Sequence, residues 1–248
     1  MLGILYNYQW LRFKPSLGYF LLSCFLLPLL LHLFIGFPFR YVFNDINGMN
    51  YMFWMIPGNF IILSCLMAYT VTIINMNNFM VYPKSIDTIC KTPVTNFQIL
   101  FSVIIWAFTI GIIQWLISII VVSLLINEFY SLLVSIRLAL QTLVIIPFFS
   151  VLSILTFLIS NNQFWKMTAS LFYFIFLSFG LGCLIPLNTF PEEVYKFIKL
   201  IPITGVINGS QNIIMGKPGS FTSGLFIIIL TGILFIICLI ISNKKFKQ

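Results

Sequence analysis

Residues 99–126 read ILFSVIIWAFTIGIIQWLISIIVVSLLI, a stretch without one charged side chain. About 20 apolar residues suffice for a helix to cross the hydrocarbon of a bilayer. The apolar positions follow one another without the every-second-residue alternation of a barrel strand. The stretch therefore reads as a membrane-spanning helix, whose backbone satisfies its own hydrogen bonds in lipid. Working outward, five more runs have the same character: Leu17–Phe37, Met52–Ile74, Leu132–Ile159, Trp165–Ile185 and Phe221–Ile241. Across 248 residues, 60% are hydrophobic, 7% are charged and the mean hydropathy is +1.08. Soluble domains carry about 25% charged residues, so an ordinary cytosolic enzyme, a disordered tail and a secreted disulfide scaffold are excluded. The expectation is one all-α integral membrane domain with six transmembrane helices. Leu17–Phe37 starts too late and runs too long for a cleaved leader and reads as an anchor.

The charges sort by topology. Thirteen Lys and Arg against five Asp and Glu give +8, scattered between apolar runs without forming a nucleic-acid patch. With the N-terminus inside, Arg12, Lys14, Lys84, Lys91, Lys166, Lys244, Lys245 and Lys247 fall on the cytoplasmic side with one acid, Asp87. Arg40, Lys196, Lys199 and Lys217 face Asp45, Glu128, Glu192 and Glu193 on the other. The positive-inside rule then puts both termini in the cytoplasm.

Three segments outside the spans carry information. Residues 1–16 mix Tyr8, Trp10 and Phe13 with Arg12 and Lys14, which suits a helix lying in the headgroup plane; a frayed leader is the alternative. Residues 75–98, between spans 1–2 (17–74) and spans 3–5 (99–185), read NMNNFMVYPKSIDTICKTPVTNFQ. Pro83 can open a short helix. Ile86, Ile89 and Cys90 share its apolar face, and Thr92-Pro93 ends it. Such a cytoplasmic helix is built to dock; a solvated loop is the alternative. Residues 186–220 hold a capping-box pattern at Thr189 and Glu192 and a Glu192–Lys196 pair. Pro202 stops that helix, and an apolar stretch Ile203–Met215 ends at Gly216. Two short helices there read as an outer, partly re-entrant hairpin, followed by span 6 and the tail (221–248).

Catalytic chemistry is not legible. The only Gly-Lys pair, Gly216-Lys217, lacks a phosphate-cradle pattern, and Asp45 and Asp87 are too far apart for an Asp-rich magnesium site. Cys24, Cys65, Cys90, Cys183 and Cys238 form no ligand spacing, so neither a metal site nor a disulfide framework is expected. His32 follows Pro28 by one turn and reads as a neutral imidazole bonded to the carbonyl that proline frees, with a proton relay as the alternative. Arg137 lies near one end of its run, where it can snorkel outward or pair with Glu128; contact with substrate is the alternative. Asn208-Gly209-Ser210 matches a glycosylation sequon. A chain without a nucleotide site or serial intramembrane carboxylates draws energy from another subunit or conducts passively.

With Ile56-Pro57-Gly58 opening the second span, residues 85–95 following that span and residues 182–191 following the fifth, the chain resembles the membrane subunits of type-2 ABC exporters. Ile56-Pro57-Gly58 opens the second span as in that family. Ser85-Ile86-Asp87-Thr88-Ile89 followed by Lys91-Thr92-Pro93-Val94-Thr95 looks like its cytoplasmic coupling segment. Gly182-Cys183-Leu184-Ile185-Pro186-Leu187-Asn188-Thr189-Phe190-Pro191, then Ile201-Pro202-Ile203-Thr204 and Met215-Gly216, resembles its signature after the fifth span. The chain departs from the pattern at Tyr82-Pro83-Lys84-Ser85, ahead of the coupling helix, and at Ser210-Gln211, where the family commonly has an arginine.

The resemblance implies a permease that is not itself an enzyme. Two copies, identical or paralogous, would pair through the first and fifth spans and seat on two ATPase subunits, which carry the ATP and magnesium; no cofactor belongs to this chain. Ser85, Ile86, Asp87, Ile89, Lys91 and Pro93 would receive force from the ATPase. Phe190, Pro191, Glu192, Pro202 and Thr204 would belong to the extracellular gate. The Phe-rich composition favours an amphiphilic or lipid-linked cargo, such as a drug, an antimicrobial peptide or a lipid. Export of a lipid-linked glycan or polysaccharide is the alternative, and a passive channel or scaffold is the reading from another class. The expected place is the cell membrane.

Overall fold

A computed structural model describes residues 2–46, 48–81, 95–126, 130–160 and 162–245. Five helical stretches are long and apolar enough to cross a membrane: Leu2–Phe43, Tyr51–Asn78, Asn96–Ile126, Leu132–Ile159 and Phe221–Lys244. They take in five of the six predicted runs, and the chain has the composition and architecture of an α-helical membrane protein.

The first stretch is not one straight rod. Helix α1 (Leu2–Phe13) meets a 3₁₀ turn, Lys14–Ser16, before α2 (Leu17–Leu31), a π turn at His32–Gly36 and α3 (Phe37–Phe43). Against α6 (Asn96–Ile126), the Tyr6 hydroxyl donates to Thr109 Oγ1 at 3.5 Å and Gln9 Nε2 to Ser102 Oγ at 3.2 Å. Further on, Gln114 Nε2 of the same helix donates to the Cys24 carbonyl at 3.3 Å. Residues 6 and 24 would be about 27 Å apart along a continuous helix, whereas their partners 109 and 114 are about 8 Å apart. Helix α1 therefore turns aside at the 3₁₀ segment and lies across α6, with the Trp106 ring meeting Tyr6 at 5.1 Å and Phe13 at 5.5 Å. Helix α1 is thus packed against the bundle through Tyr6, Gln9 and Phe13.

A two-residue antiparallel ribbon departs from an all-α architecture. Strands β1 (Asp45–Ile46) and β2 (Met49–Asn50) pair beside Gly48 at φ 81°. Asn50 then caps the one-turn α4 (Tyr51–Trp54), its Oδ1 accepting from the Met52 N–H at 3.0 Å, and α5 (Ile56–Val81) follows.

Helix α5 is the centre of the bundle. Of the most apolar window of its stretch, 72% is buried, against 17% for α11 (Phe221–Lys245) at the periphery. It packs on α6 and on α7 (Leu132–Ile159), and α11 lies on α7. Gly111 of α6 allows that helix close to α7, since a Cβ there would stand 2.9 Å from the Ile146 side chain.

The predicted fifth run, Trp165–Ile185, differs from the other five. Helix α8 (Gln163–Ile175) continues into a π turn, Phe176–Gly180, and the chain then leaves helical geometry at Leu181–Ile185. The reason is local: Gly182 takes φ 87°, and the Leu184 N–H turns back to the Ser178 carbonyl at 3.0 Å. The segment still runs the length of α5, because Lys166 meets Asn77 at one end and Cys183 meets Gly58 at the other. Residues 58 and 77 lie about 28 Å apart along a helix.

Two short helices follow, α9 (Glu192–Lys199) and α10 (Pro202–Ile214). The capping box at Thr189 is corrected. Pro191 is the N-cap and Glu192 the first helical residue, while Thr189 ends a 3₁₀ turn and donates through Oγ1 to the Pro186 carbonyl at 2.7 Å. Pro191 supplies extended geometry at the cap, which moves the start past the reach of Thr189. The Glu192–Lys196 pair is present at 3.3 Å with both side chains largely exposed, so it adds little stability. Pro202 opens α10. At the other end, the Gly216 N–H donates to Ile213 and the Lys217 N–H to Asn212, with Gly216 at φ 73°; this is a Schellman stop.

Candidate functional site

The irregular backbone of Leu181–Leu184 is buried, so its polar groups require partners at that depth. Gln211 Nε2 of α10 donates to the Gly182 carbonyl at 2.8 Å, and the Tyr51 hydroxyl donates to the Leu184 carbonyl at 2.7 Å. Gly58 lies against the same turn: a Cβ there would stand 2.3 Å from the Cys183 carbonyl oxygen. Two sequence elements far apart in the chain, Ile56-Pro57-Gly58 and the run from Gly182 to Pro191, are therefore one structural unit. Helix α10, which reaches the joint through Gln211, packs on the chain at the start of α11 through small residues. Added Cβ atoms at Gly205 and Gly209 would stand 2.6 Å from the Ser223 side chain and 2.8 Å from the Ser220 nitrogen.

The predicted gate residues divide between core and rim of this hairpin. Phe190 is half-buried and packs with Tyr195 and Met215 on the main core, and Pro202 occupies the first turn of α10. Thr204 is buried, and its hydroxyl has no partner among the described residues. Pro191 and Glu192 are exposed. The hairpin also borders a cavity of about 340 Å³ lined by Trp54, Asn188, Tyr195, Asn208, Gln211 and Asn212, among others, with no charged residue among the described residues of its lining.

The opposite end of the bundle gathers polar side chains from five helices. Lys166 of α8 is only 3% exposed; its ammonium donates to Asn77 Oδ1 at 2.7 Å and sits 3.9 Å over the Phe157 ring of α7. Asn77 Nδ2 in turn donates to Gln163 Oε1 at 3.2 Å. The Arg12 guanidinium of α1 reaches the Asn78 carbonyl at 3.4 Å, and Asn96 Nδ2 of α6 donates to Asn243 Oδ1 of α11 at 2.7 Å. The end of α5 and the start of α6 are thus held by three other helices. The predicted coupling residues Ser85, Ile86, Asp87, Ile89, Lys91 and Pro93 fall between them and lie outside the described residues.

The two intramembrane polar candidates do not join either cluster. His32 is 2% exposed, and neither ring nitrogen has a partner among the described residues. This corrects the expected bond: proline removes the N–H that would bond four residues back, and the freed Cys24 carbonyl is taken by Gln114 instead. Arg137 is exposed, and Glu128 is outside the described residues. The four described cysteines are buried free thiols, and no group of three potential metal ligands occurs among the described residues.

Sequence reading missed Gln211 and Lys166 as site residues. Gln211 stood out only at Ser210-Gln211, where the chain departs from the family pattern. Lys166 counted as one more cytoplasmic cation; the amides Asn75, Asn77 and Asn78 at one span end were the only hint of a partner. No family model, curated protein or solved structure matches the chain. The likeness to type-2 ABC exporter permeases therefore rests on the quoted motifs alone.

Proposed function

We propose that this chain is the membrane subunit of an ATP-driven exporter of the type-2 ABC kind, powered by a separate ATPase and paired with a second permease. It moves an amphiphilic or lipid-linked cargo outward by alternating access. The observation that carries the reading is the meeting of Gly58 with the Cys183 backbone. Two of the three motifs behind the resemblance make sense as one buried joint, opposite the end that bears the third.

Six crossings follow if α8 and the turn after it count as a span, which is supported by their running the length of α5. The alternation then puts residues 1–16, 75–98, 160–166 and the C-terminus on one side, in keeping with the Arg12–Asn78, Lys166–Asn77 and Asn96–Asn243 bonds at a common end. The positive-inside rule makes that side cytoplasmic and the hairpin extracellular, in the cell membrane. An apolar groove of about 400 Å³ between α2, α5 and α8, lined in part by Leu31, Phe34, Leu63 and Phe174, has the chemistry of a lipid chain's surroundings. That favours amphiphilic cargo. The glycan alternative is favoured by the uncharged cavity, where the Trp54 and Tyr195 rings and the Asn amides suit hydroxyl groups.

Orientation is testable with the native cysteines. Cys24, Cys65, Cys183 and Cys238 are each 0% exposed, leaving Cys90 as the reporter. A membrane-impermeant maleimide is expected to label Cys90 in inside-out vesicles and not in intact cells. Labelling from outside intact cells would invert the topology and remove the docking stretch from the cytoplasm.

A further inference from the structure

Lys166 occupies an expensive position. It is the fourth residue of α8, near the positive end of the helix dipole, where a cation is disfavoured. A lysine at a span end ordinarily extends its ammonium toward water, and its neighbours Phe164 and Met167 are 75% and 60% exposed. Lys166 instead turns inward, to Asn77 on the last turns of α5 and to the Phe157 ring near the end of α7. Gln163 completes the junction through Asn77. One buried charge thus ties together three helix ends. Helix α5 leads into the stretch assigned above to the ATPase, and α8 leads into the buried joint at Gly182 and Leu184.

We propose that Lys166 is a positioning residue that makes the ends of α5, α7 and α8 move as one body. Displacement entering beyond α5 then passes along α8 to the hairpin end. The inference rests on the exporter reading and adds the element that carries motion between its two ends. Asn77 orients the ammonium, Phe157 holds it against the helix-dipole penalty, and Gln163 fixes the amide of Asn77.

The experiment uses the full chain in proteoliposomes with an ABC-type ATPase subunit from the same cells. Lys166→Met keeps length and apolar bulk, so insertion is expected to persist; Lys166→Arg keeps the charge. Stimulation of ATP hydrolysis by an amphiphilic probe, the dye rhodamine 6G, is expected to fall roughly tenfold in Lys166→Met, within the range that mutations along a coupling network produce. Basal hydrolysis is expected to stay unchanged, and Lys166→Arg to recover most of the stimulation. In parallel, spin labels at the exposed positions Ile74 and Phe164, in a Cys90→Ser background, are expected to give a narrow distance distribution that Lys166→Met broadens. Stimulation in wild type with no change in Lys166→Met, or equal distance widths, overturns the inference alone. Absence of stimulation in wild type overturns the exporter reading and the relay with it. Loss in both variants with a broadened distribution supports a demand for the ammonium itself.

Discussion

Gly58→Ala is expected to lower the thermal stability of the detergent-solubilised protein by roughly 5–10 °C, at the 2–4 °C per kcal/mol typical of a chain this size. The added methyl group would stand 2.3 Å from the Cys183 carbonyl oxygen, well inside any tolerable approach. The obstructing atom is backbone and has little room to yield, since its neighbours Gly182 and Leu184 are held by Gln211 and Tyr51. Accommodation requires α5 to back away or a buried bond to break. Overpacking alone costs about 1–3 kcal/mol, and an orphaned buried carbonyl adds about 1–3 kcal/mol. Gly232→Ala is the control, because nothing lies within 4 Å of a Cβ at that position. Equal melting of Gly58→Ala and wild type would show that the joint is looser than described.

The second large effect belongs to the docking stretch. Asp87→Arg, or deletion of residues 86–89, is expected to abolish cargo-stimulated ATP hydrolysis while the chain still inserts. The charge reversal adds repulsion in an already cationic region bearing Lys84 and Lys91 and removes the lone acid counted on that side. Insertion depends on the apolar runs, which neither change touches. Insertion is read by membrane fractionation and coupling by phosphate release from proteoliposomes. Unchanged coupling in either variant would remove residues 85–93 from the ATPase interface.

Long apolar runs were the most legible feature, because a helix in lipid is specified by length and hydropathy with little help from partners. The runs at 99–126, 132–159 and 221–241 each lie within one helix, and 52–74 is taken up by the one-turn α4 and by α5. Trp165–Ile185 was legible as an apolar run but not in form. Hydropathy cannot register Gly182 at φ 87° or the turn that bonds Leu184 to Ser178. Thr189 satisfied a capping pattern, yet Pro191 fixed a later start by backbone geometry. His32 was placed beside a freed carbonyl along its own helix, where Gln114 from another helix had the better approach. Lys166 shows the same limit at the site: its burial is set by α5 and α7, and local sequence carries no record of them.

The most direct test of a membrane subunit driven from a separate chain is ATP hydrolysis by proteoliposomes holding this chain alone, an ABC-type ATPase subunit from the same cells alone, or both. The expected result is no hydrolysis by this chain alone, and hydrolysis by the pair that an amphiphilic cargo raises further. Hydrolysis by this chain without a partner, or a pair that neither associates nor responds to cargo, would contradict it.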